Sequence, residues 1–346
     1  MCDRPNFCSC LFKLLCCVCD SNPLTSWINK LRKYYNGKSC NCNVSLKGKV
    51  IIITGGNSGI GKETATILAS RGAEVVLACR SLEKGREAVN DIKQKTGNTL
   101  IRSEELDLSS FESIINFVNR FKQTGSKLYG LLNNAGLFHV PYQLTKDGFD
   151  VTLQTNYLGP FLLIYLLLDI LKESSPSRIV NVGSESHRYL TSLNISEVIK
   201  DYNEHGDFDE FMFYGTTKLC IMLLTSKLAK LLNGSGVSVN SVNPGNVRSN
   251  IHRHFPAIRD LPLWSYSRFM LWLTFKTPCQ GAQTSVHVLS DPQLSNISGK
   301  YFSDCRDTEV SALAKSVELE DKLWISTLGW LKPYIGNGVI KGGVGV

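Results

Sequence analysis

Tyr214 and Lys218 stand four positions apart in "FYGTTKL" (213–219), one helical turn along the chain and on the same face. A phenol beside an ammonium is either a working acid/base pair or two ordinary helix residues, and the spacing alone does not decide. A second stretch carries more information. "KVIIIT" (49–54) runs into "TGGNSGIG" (54–61) and on into helix-like sequence. Glycines at a strand-to-helix turn let the backbone approach a pyrophosphate, which then sits on the helix N-terminus where free N–H groups and the dipole favour an anion. Gly55, Asn57, Ser58, Gly59, Ile60 and Gly61 are therefore candidate dinucleotide contacts. The spacing Gly-x-x-x-Gly-x-Gly differs from both the Gly-x-Gly-x-x-Gly fingerprint and the phosphate loop of nucleotide hydrolases.

Further candidates fall at the ends of later strands. The second strand ends in "ACR", with Arg80 where a carboxylate would otherwise take the ribose 2′-hydroxyl. An arginine there suits a 2′-phosphate and favours NADP(H) over NAD(H). Asp107, followed by Leu108, either bonds the adenine edge or caps the helix after it. "NNAG" (133–136) offers Asn134, Ala135 and Gly136 where a cofactor ribose passes close to the backbone.

These residues need elements to hold them. Strand-like runs at 49–54, 73–79, 101–108, 128–134, 178–183 and 237–243 alternate with helical stretches at 59–71, 82–95, 110–122, about 135–172 and 214–232. Strands separated by helices of this length imply βαβ units and a mostly parallel sheet covered on both faces. The expected class is α/β, a Rossmann-like doubly wound parallel sheet in a single domain over 46–330. It carries an N-terminal membrane-associating arm (1–45) and a flexible Gly-rich tail (331–346). "FLLIYLLL" (161–168) is too short to span a bilayer and reads as core helix.

Charge and cysteine sit mainly in the arm. Residues 1–49 hold eight Lys/Arg against Asp3 and Asp20, a net of +6 within a chain total of +8. A basic arm on a nearly neutral core points to an anionic membrane surface, and no basic stripe with interleaved aromatics supports nucleic acid as a partner. Eight of the 12 cysteines lie in the first 42 residues. "FCSCLFKLLCCVC" suits an interfacial segment with S-acylation sites at Cys8, Cys10, Cys16, Cys17 and Cys19. Cys16 and Cys19 have a zinc-like Cys-x-x-Cys spacing, but the surrounding spacings are irregular and no metal is expected. The other four cysteines read as reduced, core-packing residues of a cytosol-facing protein.

"TGGNSGIG", "LDLSS", "NNAG", "QTNYLGPFLL", "RIVNVGSESH", "YGTTK" and "VNPGNV" occur in the order of the short-chain dehydrogenase/reductase superfamily, which the chain resembles over roughly 46–330. "GKETATILASRGAEVVLACRS" and "PCQGAQTSVHV" resemble its retinol dehydrogenase group. The resemblance implies that Tyr214 exchanges a proton with the substrate oxygen. Lys218, with a cationic nicotinamide, would favour the phenolate of a group whose free pKa is about 10, and would also bind the nicotinamide ribose. Ser184 matches the serine that bonds the substrate oxygen, with Ser186 as its rival, and Asn156 matches the asparagine that holds a relay water. Pro244, Gly245, Val247 and Ser249 complete the cofactor set. Gly183 and Ser249 depart from the commoner Ser and Thr without removing the functional groups.

The expected function is therefore NADP(H)-dependent interconversion of an apolar alcohol and its aldehyde or ketone (retinoid, isoprenoid, steroid or fatty aldehyde). The alternative is a catalytically idle, membrane-tethered nucleotide-binding protein; a sugar-nucleotide epimerase fits less well. Trp264, Phe269, Met270 and Trp272 suggest an apolar lid, while His139, His187, His252 and His254 read as surface or loop histidines. A homodimer and a cytosol-facing membrane such as the endoplasmic reticulum are the expected setting.

Overall fold

A computed structural model describes residues 27, 30–32, 35–199, 208–254 and 266–335. Eight strands form one sheet in the order β3-β2-β1-β4-β5-β6-β7-β8. They are β1 (Val50–Thr54), β2 (Glu74–Cys79), β3 (Ile101–Glu105), β4 (Gly130–Asn133), β5 (Ser177–Val182), β6 (Val237–Asn243), β7 (Tyr301–Ser303) and β8 (Arg306–Thr308). All pairings are parallel except β7 with β8. The last two strands, three residues each, are too short to show a period-2 pattern, and sequence reading misses them.

Both faces of the sheet's central strands are buried, so their alternate residues enter different cores. Val50 and Ile52 join a cluster packed by helices α3 (Phe111–Gln123), α4 (Val151–Glu173), α5 (Glu210–Leu231) and α8 (Val317–Ile335). Ile51 and Ile53 join the opposite cluster, packed by α1 (Gly59–Ser70), α2 (Leu82–Thr96) and α7 (Pro278–Ser290). A further helix, α6 (Tyr266–Thr274), precedes α7. α4 is long and apolar enough to cross a membrane, but its apolar window is 83% buried inside the protein. It is a core helix, as expected.

Several boundaries differ from the sequence reading. α4 begins only at Val151, because the buried Asp150 carboxylate caps it, accepting from the N–H groups of Thr152 (2.7 Å) and Leu153 (2.9 Å). The stretch after β4 is an irregular loop. β3 stops at Glu105. α5 starts a turn before Tyr214, capped by Asp209. α8 carries through 331–335, so helix replaces the first part of the expected tail. Residues 40 and 42 of the expected arm pack on the domain: Cys40 N–H donates to Gln283 Oε1 at 3.0 Å, and Cys42 Sγ lies 3.3 Å from Ser290 Oγ. Cys2, Cys8, Cys10, Cys16, Cys17 and Cys19 lie outside the described residues.

Candidate active site

β1 and β4 are neighbours in the sheet, but the chain leaves β1 toward β2 on the other side. Their C-terminal ends therefore open a crevice, the position where such sheets bind ligands. Thr54 ties the two ends together. Its hydroxyl oxygen accepts from the N–H groups of Asn134 and Ala135, both at 3.0 Å, and its carbonyl accepts from Asn134 Nδ2 at 2.9 Å.

The glycine turn lies against this junction. Gly55 (φ 65°) and Gly59 (φ 54°) occupy left-handed backbone that favours glycine. A Cβ on Gly55 would lie 3.1 Å from Ala135 Cα. Gly61 is buried beneath the turn, and a Cβ there would meet Gly55 O and Asn134 Nδ2 at 2.5 Å. Ser58 precedes α1 without a side-chain cap, and the first turn of α1 has no acidic residue. The helix N-terminus is thus left to an anion.

A cleft of about 1020 Å³ runs from this turn to Tyr214. Of the residues expected at the cofactor, all but Gly61 line it, Gly61 acting from beneath. Arg80 is exposed at the end of β2 and has no carboxylate partner among the described residues. Lys84, on α2 beside it, also lines the cleft and is missed by sequence reading because nothing marks it out among helix lysines. Asp107 lines the cleft while its Oδ1 accepts from Ser109 N–H (2.9 Å) and Oγ–H (2.6 Å); the cap of α3 is Ser110. The glycine cradle, open helix end and cleft size together fit a dinucleotide.

At the far end, Ser184 follows β5, while Tyr214 and Lys218 project from the second and third turns of α5. Lys218 Nζ donates to Val182 O at 2.8 Å and lies 5.5 Å from the Tyr214 ring centroid. Tyr214 and Ser184 line the same end of the cleft, and Ser184 Oγ–H donates to Ser186 Oγ at 3.1 Å. Asn156 sits in a π-turn of α4 (Gln154–Leu158), a local widening frequent at functional sites. Its Oδ1 accepts from Leu137 N–H at 2.8 Å, and its Nδ2 donates to Leu137 O (2.9 Å) and Thr217 Oγ1 (3.1 Å). Asn156 does not line the cleft itself; it braces the loop after β4 against α5.

The electrostatics depart from the sequence expectation. Burial raises the Tyr214 pKa to about 12, offset in part by the nearby Ser184 hydroxyl. Burial also lowers Lys218 to about 8. The expected depression of the phenol by Lys218 is thus not found in the protein alone, because desolvation opposes the charged form of both groups. This shift has a stability consequence. Lys218 sheds its proton near pH 8 when folded but near 10.5 when unfolded, so between those values the unfolded chain binds more protons and stability rises with pH. Lys218→Met should remove that contribution. At neutral pH the cofactor-free variant should be more stable than wild type by about 1–3 kcal/mol, converging with it near pH 10. Urea titrations across pH 7–10 check this; parallel curves would refute the buried charge.

Around Ser184 the structure shows contacts that the sequence does not, and Glu185 goes unflagged there. His187, expected at the surface or in a loop, is fully buried. Its Nδ1 lies 2.6 Å from Ser184 O and so carries the proton, while Nε2 accepts from Ser311 N–H at 3.1 Å. Glu185 accepts from Tyr301 Oη–H (2.7 Å) on β7 and from Asn243 Nδ2 (3.1 Å). Ser186, the rival to Ser184, is hydrogen-bonded to it at 3.1 Å. At Gly183 a Cβ would fall 2.5 Å from Met222 Cε, the end of a flexible side chain that can swing away, with the next atoms at 3.5 Å. The pocket wall beside Tyr214 consists of Phe138, Tyr189, Phe211, His252 and Phe275. Phe138 meets the Tyr214 ring edge-on at 4.8 Å. Of the expected lid, Trp264 and the Phe269 side chain lie outside the described residues. Trp272 packs under the Arg32 guanidinium at 4.1 Å instead.

The short chain dehydrogenase family profile matches residues 49–194. The chain is 42% identical to mouse (Mus musculus) retinol dehydrogenase 12 over 299 residues, covering 85% of this chain and 90% of that protein. It is 43% identical to human (Homo sapiens) retinol dehydrogenase 11 over 300 residues, covering 85% and 89%. Among solved structures, an uncharacterized protein from Mycobacterium paratuberculosis is 26% identical with a TM-score of 0.68, covering 86% of this chain and 98% of that one. The Pseudomonas aeruginosa RhlG/NADP complex shares the fold at a TM-score of 0.59 and 23% identity, covering 75% and 95%. The chain belongs to the short-chain dehydrogenase/reductase family. It is an oxidoreductase of alcohol and carbonyl groups that uses a nicotinamide cofactor. Within the family it falls in the retinol dehydrogenase group.

Proposed function

We propose that the protein is an NADP(H)-dependent oxidoreductase that interconverts apolar alcohols and their aldehydes or ketones, of the retinoid, isoprenoid, steroid or fatty-aldehyde kind. The observation that carries this reading is one cleft with a glycine cradle and Arg80 at one end, and Ser184, Tyr214 and an aromatic wall at the other. When bound, the nicotinamide supplies or accepts the hydride. Tyr214 gives its proton to, or takes one from, the substrate oxygen. Ser184 donates a hydrogen bond to that oxygen and holds it against Tyr214. Lys218 would bind the nicotinamide ribose hydroxyls, and Asn156, bracing the Leu137 loop against α5 behind the cleft, would support the relay-water position beside the lysine. Phe138, Phe211 and Phe275 exclude water and favour a greasy substrate. The idle-protein alternative is disfavoured, since Ser184, Tyr214, Lys218 and Asn156 are all present and gathered in one region.

The 2′-phosphate reading rests on Arg80, with Lys84 beside it. Reversing the charge with Arg80→Glu should raise the KM for NADPH about 10–100-fold, the value of a charge-assisted hydrogen bond, while NADH improves. Rates with both cofactors and a panel of retinal, farnesal, a steroid ketone and a long-chain aldehyde test the whole proposal. An unchanged preference would remove Arg80 from the site, and absence of turnover alongside firm NADPH binding would favour the idle protein. The basic, cysteine-rich arm is assigned to a cytosol-facing membrane surface. Persistent membrane association after Cys8, Cys10, Cys16, Cys17 and Cys19 are all changed to Ser would refute lipid anchoring there.

A further inference from the structure

Away from the cleft, the chain enters the domain through Cys40 and Cys42, which dock on α7 and the C-terminal end of α1. Their sulfurs and a ring nitrogen of His287 lie within 4.8 Å of one another. The two Sγ atoms are 2.6 Å apart. Arg71, which ends α1, places Nη1 3.5 Å from the Cys42 sulfur and Nη2 3.8 Å from that of Cys40. Nη1 also donates to Ser290 Oγ at 2.7 Å. The Ser290 hydroxyl gives its proton to Val286 O, which leaves its oxygen to accept from the Cys42 thiol at 3.3 Å. His287 Nδ1 lies 3.2 Å from Asp291, which orients the ring.

We propose that Cys40 and Cys42 are a modification site: a dithiol that closes to a disulfide on reaction with a low-molecular-weight disulfide. Three observations favour this over a metal site. The sulfurs need approach by only about 0.5 Å to reach bonding distance. A tetrahedral zinc at about 2.3 Å from each would instead require them to part to about 3.8 Å. The Arg71 guanidinium, one nitrogen against each sulfur, repels a metal cation. Burial and the neighbouring Cys42 thiol hold the Cys40 thiol up, with Arg71 pulling the other way. An uncharged disulfide suits a half-buried position better than a thiolate does.

The step balances as thiol–disulfide exchange. One cysteine, as thiolate beside Arg71, attacks the small disulfide, forms a mixed S–S bond and releases one small thiolate. The second cysteine then displaces the other half and loses its proton to solvent. The pair loses two protons and two electrons, and the oxidant is reduced to two thiols that carry the protons.

Trypsin isolates the site, because peptide 39–47 (SCNCNVSLK) contains these two cysteines and no other. Full-length protein is equilibrated in graded mixtures of reduced and oxidised glutathione, quenched in acid, alkylated, digested and weighed. The expected result is peptide 39–47 lighter by two hydrogens and unalkylated. Its midpoint should lie at a ratio about tenfold more reducing than for the same synthetic peptide free in solution, a difference of about 30 mV for a two-electron couple. Arg71→Met should slow closure several-fold. Equal midpoints in protein and free peptide would overturn the proposal. A stable mixed disulfide with glutathione as the end state would also do so, as would one bound zinc per chain that shields both thiols.

Discussion

Tyr214→Phe is expected to lower kcat by about 10²–10⁴-fold, the usual contribution of a positioned general acid/base, while leaving NADPH affinity within about twofold. The physical basis is local. The variant removes one oxygen from a ring that is 7% exposed and held edge-on by Phe138, so ring packing is preserved. The lost group is the proton donor facing Ser184. Since burial lifts its pKa to about 12, the phenol is protonated at neutral pH and suited to donate to a carbonyl oxygen. Alcohol oxidation needs the phenolate, so its rate in wild type should climb with pH more steeply than carbonyl reduction does. Stopped-time assays in both directions, with cofactor fluorescence titration as the binding control, measure this. A variant that retains wild-type kcat would remove Tyr214 from the chemistry.

Gly61→Val is expected to disable the dinucleotide end of the same cleft. The first added carbon would lie 2.5 Å from Gly55 O and Asn134 Nδ2, and the former is backbone that cannot step aside cheaply. Relief requires α1 to move off the turn. That should destabilise the fold by about 1–3 kcal/mol and weaken NADPH binding by about 100-fold or more, since about 2.7 kcal/mol corresponds to that factor. Gly329→Ala on α8 is the contrast, for a Cβ there meets nothing within 4 Å. It should be neutral or stabilising by up to about 1 kcal/mol, with binding unchanged. Calorimetric NADPH titrations and thermal unfolding of both variants separate the effects. Normal affinity in Gly61→Val would mean that the turn is not the pyrophosphate seat.

Much of this layout is legible in the sequence because its signals are local. Alternating strand and helix runs, the strand–glycine–helix junction at 49–61 and the turn spacing of Tyr214 and Lys218 each depend on a few adjacent residues. The third strand's end, the loop before α4 and the two short strands after residue 300 are not legible in the sequence. There the decisive interactions are an aspartate cap and pairing along a sheet edge, and neither leaves a periodic trace.

Burial is the other thing that sequence hides. His187 looks like any loop histidine, yet it spans Ser184 and Ser311, residues more than a hundred positions apart. The Tyr214 phenol looks as though it should be acidified by Lys218, but desolvation, which only packing creates, pushes the two groups toward their neutral forms. Cys40 and Cys42 read as part of a cysteine-rich arm until α1 and α7 bring Arg71 and His287 against them. The sequence by itself determined the fold class, the family resemblance and the identities of the acid/base candidates, because those follow from residue type and short-range spacing. Tertiary structure alone decided which groups are dry, which share protons and which distant residues meet, because desolvation and contact are properties of the packed chain.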